Sequence, residues 1–157
     1  MYKKVMVPLD GSELAECVLP HLEFMAKSCG VQNVVFVRVV EPVHIVVGAE
    51  VDSIASAELW SQMEQEARAS AETYLKGLTD RVKYEGVYIE TKMLEGGRAG
   101  DLISEYARKI DLDLILIATH GRSGVRRWVW GSVADKVMRS ACVPVLTVRA
   151  PGCIPGF

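Results

Sequence analysis

A chain of 157 residues is long enough for one domain with a sizeable core, and at 50% apolar and 24% charged residues its composition is globular. The formal net charge of -2 offers no basic excess for nucleic acid or an anionic membrane, so both are set aside as partners. No apolar run approaches the ~20 residues that span a bilayer, which leaves a cytoplasmic protein as the expectation.

Met1, Tyr2, Lys3 and Lys4 lead directly into Val5-Met6-Val7-Pro8, a run too short for a signal peptide and without a small-residue cleavage site. Residues 4–9 predict a buried strand, stopped by the turn Asp10-Gly11-Ser12. Ser12 is placed to cap a helix carrying Leu14, Val18, Leu22, Met25 and Cys29 on one face. Pro20 either kinks that helix or marks a late start, and Gly30 ends it. Residues 34–40, rich in β-branched side chains, predict a second strand. Residues 41–51 hold Pro42 and Gly48, have no period and predict a loop.

From 53 to 78 the spacing of Leu59, Met63, Ala67, Ala71, Tyr74 and Leu75 predicts a long amphipathic helix. Residues 86–93 alternate partly, as a strand near an edge does. Gly96-Gly97 precede a helix through Ile103, Tyr106, Ala107 and Ile110. Residues 113–118, continuously apolar after Asp113, predict a strand covered on both faces. A helix over 133–140 and a last strand over 144–148 follow; the tail 150–157, with two prolines and two glycines, predicts no regular packing. Cys17, Cys29, Cys142 and Cys153 form no CxxC pair. Three of them sit among apolar residues and read as small hydrophobes in a reducing compartment. Strands alternating with helices predict one α/β domain with a parallel sheet over 1–149, and a tail over 150–157.

The segment 118–132 leaves the carboxyl end of a buried strand, where open α/β sheets place their ligands. Gly121 and Gly124 permit backbone approaches that a side chain would block. Gly131-Ser132 open the next helix, whose leading N–H groups and positive dipole end favour an anion. Arg122, Arg126 and Arg127 add charge able to pair with phosphate. The same residues have a plainer reading: Ser132 with Asp135 is an ordinary N-cap, the glycines are turns and the arginines are solvated. Neither GxxxxGK[ST] nor GxGxxG occurs.

The string resembles the universal stress protein family, whose ATP-binding members carry G-x2-G-x9-G-[ST] after the fourth strand. Here Gly121, nine residues and then Gly131-Ser132 match its later parts, while Ala118 stands where the first glycine is expected. The opening Val7-Pro8-Leu9-Asp10-Gly11-Ser12 is similar to the family's first strand and turn, and Val143-Pro144-Val145-Leu146-Thr147-Val148 to its last strand. The resemblance covers about residues 3–149.

It implies a single doubly wound domain, a five-stranded parallel sheet in the order 3-2-1-4-5 flanked by helices. It also implies a bound adenine nucleotide, ATP, ADP or AMP, with Mg2+ accompanying the phosphates. By similarity Asp10 would bond or flank the adenine, with Pro8 and Leu9 lining its pocket and Val39 packing on the base. Ile117 and Ala118 would border the ribose. His120, Gly121, Arg122, Gly131, Ser132 and Val133 would surround the phosphates. Asp10 has the alternative of binding only its own turn, and His120 that of a bystander. Trp128 and Trp130 read as packing or dimer residues rather than base-stacking ones. A homodimer through the last strand, from Val145 to Val148, is implied as well. Three functions follow: an ATP-binding regulatory or stress-response factor, a nucleotide-independent dimeric interaction module, or a slow ATP hydrolase. No nucleophile with a paired base and no carboxylate pair for two-metal work is visible, so no catalytic or protein-held metal residue is assigned.

Overall fold

The computed structural model describes residues 2–42, 53–119 and 131–150, with the backbone alone for 53–57. The strands are β1 (Lys4–Pro8), β2 (Asn33–Val40), β3 (Tyr88–Glu95), β4 (Leu114–Thr119) and β5 (Val145–Arg149). The helices are α1 (Leu19–Ser28), α2 (Ser53–Arg81), α3 (Ala99–Lys109) and α4 (Ser132–Ser140). All four pairings are parallel, and the sheet runs β3-β2-β1-β4-β5, the order implied by the resemblance.

Successive side chains of a strand face opposite ways, so each apolar run feeds two layers. Val5, Val7, Val34, Phe36, Leu114 and Leu116 pack with Leu22, Leu75 and Leu78 of α1 and α2. Met6, Val35, Val37, Ile115 and Ile117 pack with Ile103, Ala107, Ala134 and Val137 of α3 and α4. β4 is buried at every position because both layers cover it. Each fully buried Val, Leu or Phe contributes about 1.5–3 kcal/mol. Asp113 fastens the start of β4 to β1, its Oδ2 accepting the Lys3 and Lys4 N–H groups at 2.8 Å each.

Of the two readings of Pro20, the late start holds: a 3-10 turn, Ala15–Val18, precedes α1, and Pro20 sits in its first turn, where no intrahelical N–H is needed. Several other expectations are corrected. Leu14 therefore lies before the helix and is 46% exposed rather than on its buried face. Cys29 and Cys142 are exposed and Cys17 is half-buried. Leu59 and Met63 of α2 are exposed, while Ala71, Leu75 and Leu78 are buried. The reason is length. Arg68 already pairs with Glu95, the last residue of β3, so α2 upstream of it runs past the strand ends. β3 begins at Tyr88, not at 86, because Gly86 is a turn residue with φ +73°. Ala150, read as the start of the tail, is buried and donates its N–H to the Thr119 carbonyl at 3.2 Å.

Candidate functional site

In a parallel sheet every strand ends at the same edge, so Pro8, Val40 and Thr119 mark the carboxyl side of β1, β2 and β4. The chain leaves β1 toward β2 on one side, while β4 lies on the other, which makes β1/β4 the topological switch point. β1 pairs with β2 from Lys4 to Pro8, but with β4 only at Val5–Leu114 and Met6–Ile115. Beyond Met6 and Ile115 the two strands share no ladder. The end of that ladder marks the switch point, on the side of the sheet where the turn after β1 begins.

The β1 side is built by local hydrogen bonding. Pro8 and Leu9 are buried, and Leu9 donates to the Val37 carbonyl at 2.8 Å. Asp10 is exposed, and its Oδ1 accepts the Ser12 N–H at 2.9 Å and the Ser12 hydroxyl at 2.6 Å. Ser12 Oγ in turn accepts the Ala15 N–H at 3.1 Å. Asp10 thus serves its own turn, the plainer of its two readings, through Oδ1. Gly11 between them has φ +84°.

On β4, Ile117 and Ala118 are buried. Ala118 pairs in register with Val148 and is not among the positive-φ residues, so its backbone makes no demand for glycine. Val39, Ile117 and Val133 belong to the α3/α4 layer, whereas Leu9 and Ala118 belong to the opposite one. The candidate residues of the carboxyl edge therefore come from both layers. His120, Gly121, Arg122 and Gly124 lie outside the described residues, as do Arg126, Arg127, Trp128 and Trp130.

α4 connects the end of β4 to the beginning of the parallel β5, so its N-terminus stands at the carboxyl edge. The N-cap is Gly131, with φ -51° and ψ 137°, and Ser132 is the first helical residue rather than the cap. Among the described residues no side chain accepts from the N–H groups of Ser132, Val133 or Ala134. Asp135 is drawn away to Arg139, whose Nε lies 3.0 and 2.9 Å from its two oxygens. α3 differs: Glu41 reaches over from the end of β2 and accepts the Ala99 N–H at 2.7 Å. The conformation at Gly131 is open to any residue. That conformation makes no demand for the backbone freedom of glycine.

Arg38 was not singled out from the sequence. Its Nη1 occupies the space of a Cβ at Gly11, beneath the β1 turn. The signal was present, since it is the one charged residue in the run 34–40. The neighbouring layer holds a polar knot, in which Glu16 accepts hydrogen bonds from Tyr74 and Arg81. Burial alone would push the Glu16 carboxyl up; the bonds from Arg81 and Tyr74 outweigh it and hold the group below its usual range. A depression of about 520 Å³ beside the 3-10 turn, lined by Glu13, Leu14, Glu16, Cys17, Leu19 and Pro20, includes none of the candidate residues.

A doubly wound parallel sheet with its order reversing between β1 and β4 and a glycine-headed helix at the carboxyl edge defines an α/β protein of the kind that binds ligands at its strand ends. The chain belongs to the universal stress protein family, whose model matches residues 1–149. It is 35% identical over 151 residues to universal stress protein MJ0531 of Methanocaldococcus jannaschii, covering 96% of this chain and 84% of that protein. Universal stress protein UspA from Lactobacillus plantarum has the same fold, with a TM-score of 0.74 at 20% identity, over 94% of this chain and 98% of that one. A universal stress protein solved in complex with cAMP also shares the fold, with a TM-score of 0.57 at 20% identity over 95% and 98% of the two chains. Among the described residues no helix is long and apolar enough to cross a membrane.

Proposed function

We propose that this chain binds an adenine nucleotide, ATP or its di- or monophosphate, at the β1/β4 switch point and acts as a regulatory factor of the stress response with little or no turnover. The observation that carries the reading is the head of α4, led by Gly131 with no described side chain capping it, at the carboxyl edge where the β1/β4 ladder ends after Met6 and Ile115. The phosphates would lie against the N–H groups of Gly131, Ser132 and Val133, with His120, Gly121, Arg122 and Gly124 around them. The base would lie toward Asp10 and Val39, lined by Pro8 and Leu9, and the ribose beside Ile117 and Ala118. The solved relative in complex with cAMP supports an adenine nucleotide in this fold.

Mg2+ would be carried by phosphate oxygens. Among the described residues no group of three His, Cys, Asp or Glu is placed to hold a metal. The rest of the proposal is a cytoplasmic homodimer joined through the last strand, with residues 1–149 as its domain and 150–157 as a tail.

The test is mass spectrometry of the supernatant from denatured, freshly purified protein, followed by calorimetric titration of the refilled or emptied protein with ATP and Mg2+. Copurified adenine nucleotide, or saturable binding below about 1 mM, is the expected result. Neither one appearing leaves the nucleotide-independent interaction module as the function.

A further inference from the structure

Both α3 and α4 begin at the carboxyl edge, each following the end of a strand, and both lie on the same face of the sheet. Their heads are in contact. A Cβ at Gly100 would stand 2.6 Å from Lys136 Cγ and 3.5 Å from the Val133 carbonyl oxygen. Asp101 and Lys136 add an ion pair at 2.8 Å, and Ser104 and Ser140 a hydroxyl pair at 2.8 Å. Helices packed this closely shift together, so the position of the α3 head helps to set that of α4.

The chain joins α3 to the sheet through Gly96, Gly97 and Arg98, between Glu95 of β3 and Ala99. Gly96 has φ +89° and nothing within 4 Å of an added Cβ, so this joint has little stiffness of its own. Glu41 spans it. That residue follows Val40, the last of β2, and its Oε1 accepts the Ala99 N–H at 2.7 Å across 58 positions of sequence. A carboxylate suits the place, because a helix N-terminus offers a free N–H and the positive end of the dipole. Arg98, the N-cap residue itself, makes no side-chain cap bond. A cap from the end of β2 does more than a local one: it also holds α3 to the sheet. Val39 and Val40 stand in register with Leu94 and Glu95, so the tie runs from the strand ends to the first turn of α3.

We propose that Glu41 is a positioning residue that sets the separation between the two ends of the ligand site. One end is Val39 on β2, where the base would pack; the other is the head of α4, where the phosphates would lie. Glu41 acts on them through α3 and touches no part of the ligand. The inference rests on the nucleotide reading above. A ligand whose base and phosphates are covalently joined needs both ends in place at once, and a ligand that uses one end alone does not.

The experiment titrates the full chain, as wild type, Glu41→Ala and Glu41→Gln, with ATP, adenosine and inorganic triphosphate. Hydrogen exchange of the Ala99 amide is followed in each ligand-free protein. Glu41→Ala binds ATP about tenfold more weakly, the loss of one hydrogen bond to a charged acceptor, and its Ala99 amide exchanges faster. Adenosine and inorganic triphosphate each change by less than about twofold. Glu41→Gln keeps an acceptor oxygen at the same reach and recovers most of the ATP affinity. ATP weakening matched by adenosine or by triphosphate overturns the proposal, since Glu41 would then serve one end or the fold at large. A gain in triphosphate affinity shared by both variants overturns it as well and makes Glu41 a repelling charge. So does ATP binding by Glu41→Ala as tight as wild type, with the nucleotide reading intact. Where a fragment binds too weakly to titrate, the glutamine variant decides, and no recovery of ATP affinity overturns the proposal. If wild type binds none of the three ligands, the nucleotide reading falls and this inference with it.

Discussion

Gly11 is held to glycine by two independent constraints, its φ of +84° and the Arg38 guanidinium pressed against it. Gly30 has only the first, with φ +69° and open space around it. Gly11→Ala therefore lowers unfolding stability by about 2–3 kcal/mol, from left-handed strain plus a displaced guanidinium, and Gly30→Ala by about 1 kcal/mol. Urea denaturation of the two variants side by side checks the difference; equal losses would mean that Arg38 does not press on the turn. Glu16 supplies the pH signature. Its carboxyl is held below the usual range in the folded protein, so its contribution is complete above the ordinary carboxylate pKa and disappears as pH falls through the depressed value. Between pH 7 and pH 3, Glu16→Gln shows a shallower fall in denaturation midpoint than wild type. Parallel pH profiles would remove Glu16 from the account. At this scale the sequence was legible where chemistry is local, as in the Asp10 carboxylate binding Ser12 two residues on. It marked Arg38 as the one charge in the run 34–40 but not its neighbours Gly11 and Tyr74, which are far away in the chain.

Among elements, the pairing of α3 with α4 depends on a missing side chain. A Cβ at Gly100 would lie 2.6 Å from Lys136 Cγ and 2.7 Å from its Cβ, in a contact also held by the Ser104–Ser140 hydroxyl pair at 2.8 Å. Gly77 is likewise inside a helix, α2, but nothing lies within 4 Å of its added Cβ. Alanine gains about 1 kcal/mol of helix propensity at either site. At Gly77 that gain stands alone, so Gly77→Ala is more stable by up to about 1 kcal/mol. At Gly100 overpacking of about 1–3 kcal/mol outweighs it, so Gly100→Ala is less stable. Thermal unfolding of both variants gives shifts of opposite sign; a stabilised Gly100→Ala would show that Lys136 moves aside freely. Periodicity located the long helix α2 because its signal is internal to the element. It put Leu59 and Met63 in the core for the same reason: the pattern marks a face but not where the sheet beneath α2 ends.

For the whole molecule, strands and helices followed from apolar runs of the right length, while the strand order came from the resemblance, since no period in a sequence says which strand lies beside which. The site divides the same way. The Asp10 turn, Val39, Ile117 and the Gly131–Ser132 helix start are brought to one edge by topology, and the layer each faces became visible only in the fold. β3, flanked by the long α2, leaves Tyr88 65% exposed at one edge, and β5 leaves Leu146 43% exposed at the other. An unpaired apolar edge invites pairing, and a second copy of β5 supplies it in the proposed dimer. Leu146→Lys should then shift the mass by light scattering from dimer toward monomer, at little cost to the fold; a wild-type monomer at micromolar concentration removes the interface.

The site itself is tested at Gly131. Its φ of -51° and ψ of 137° suit valine as well as glycine, so Gly131→Val is expected to fold with a ligand-free midpoint within about 2 °C of wild type. If the glycine is there to leave room for phosphates on the Ser132 and Val133 N–H groups, the isopropyl group fills that room. ATP then raises the melting temperature of wild type but not of Gly131→Val. The pair of measurements separates the two roles of a glycine. A midpoint that falls without ligand would assign Gly131 to the fold, and an undiminished ATP shift would move the phosphates away from the head of α4.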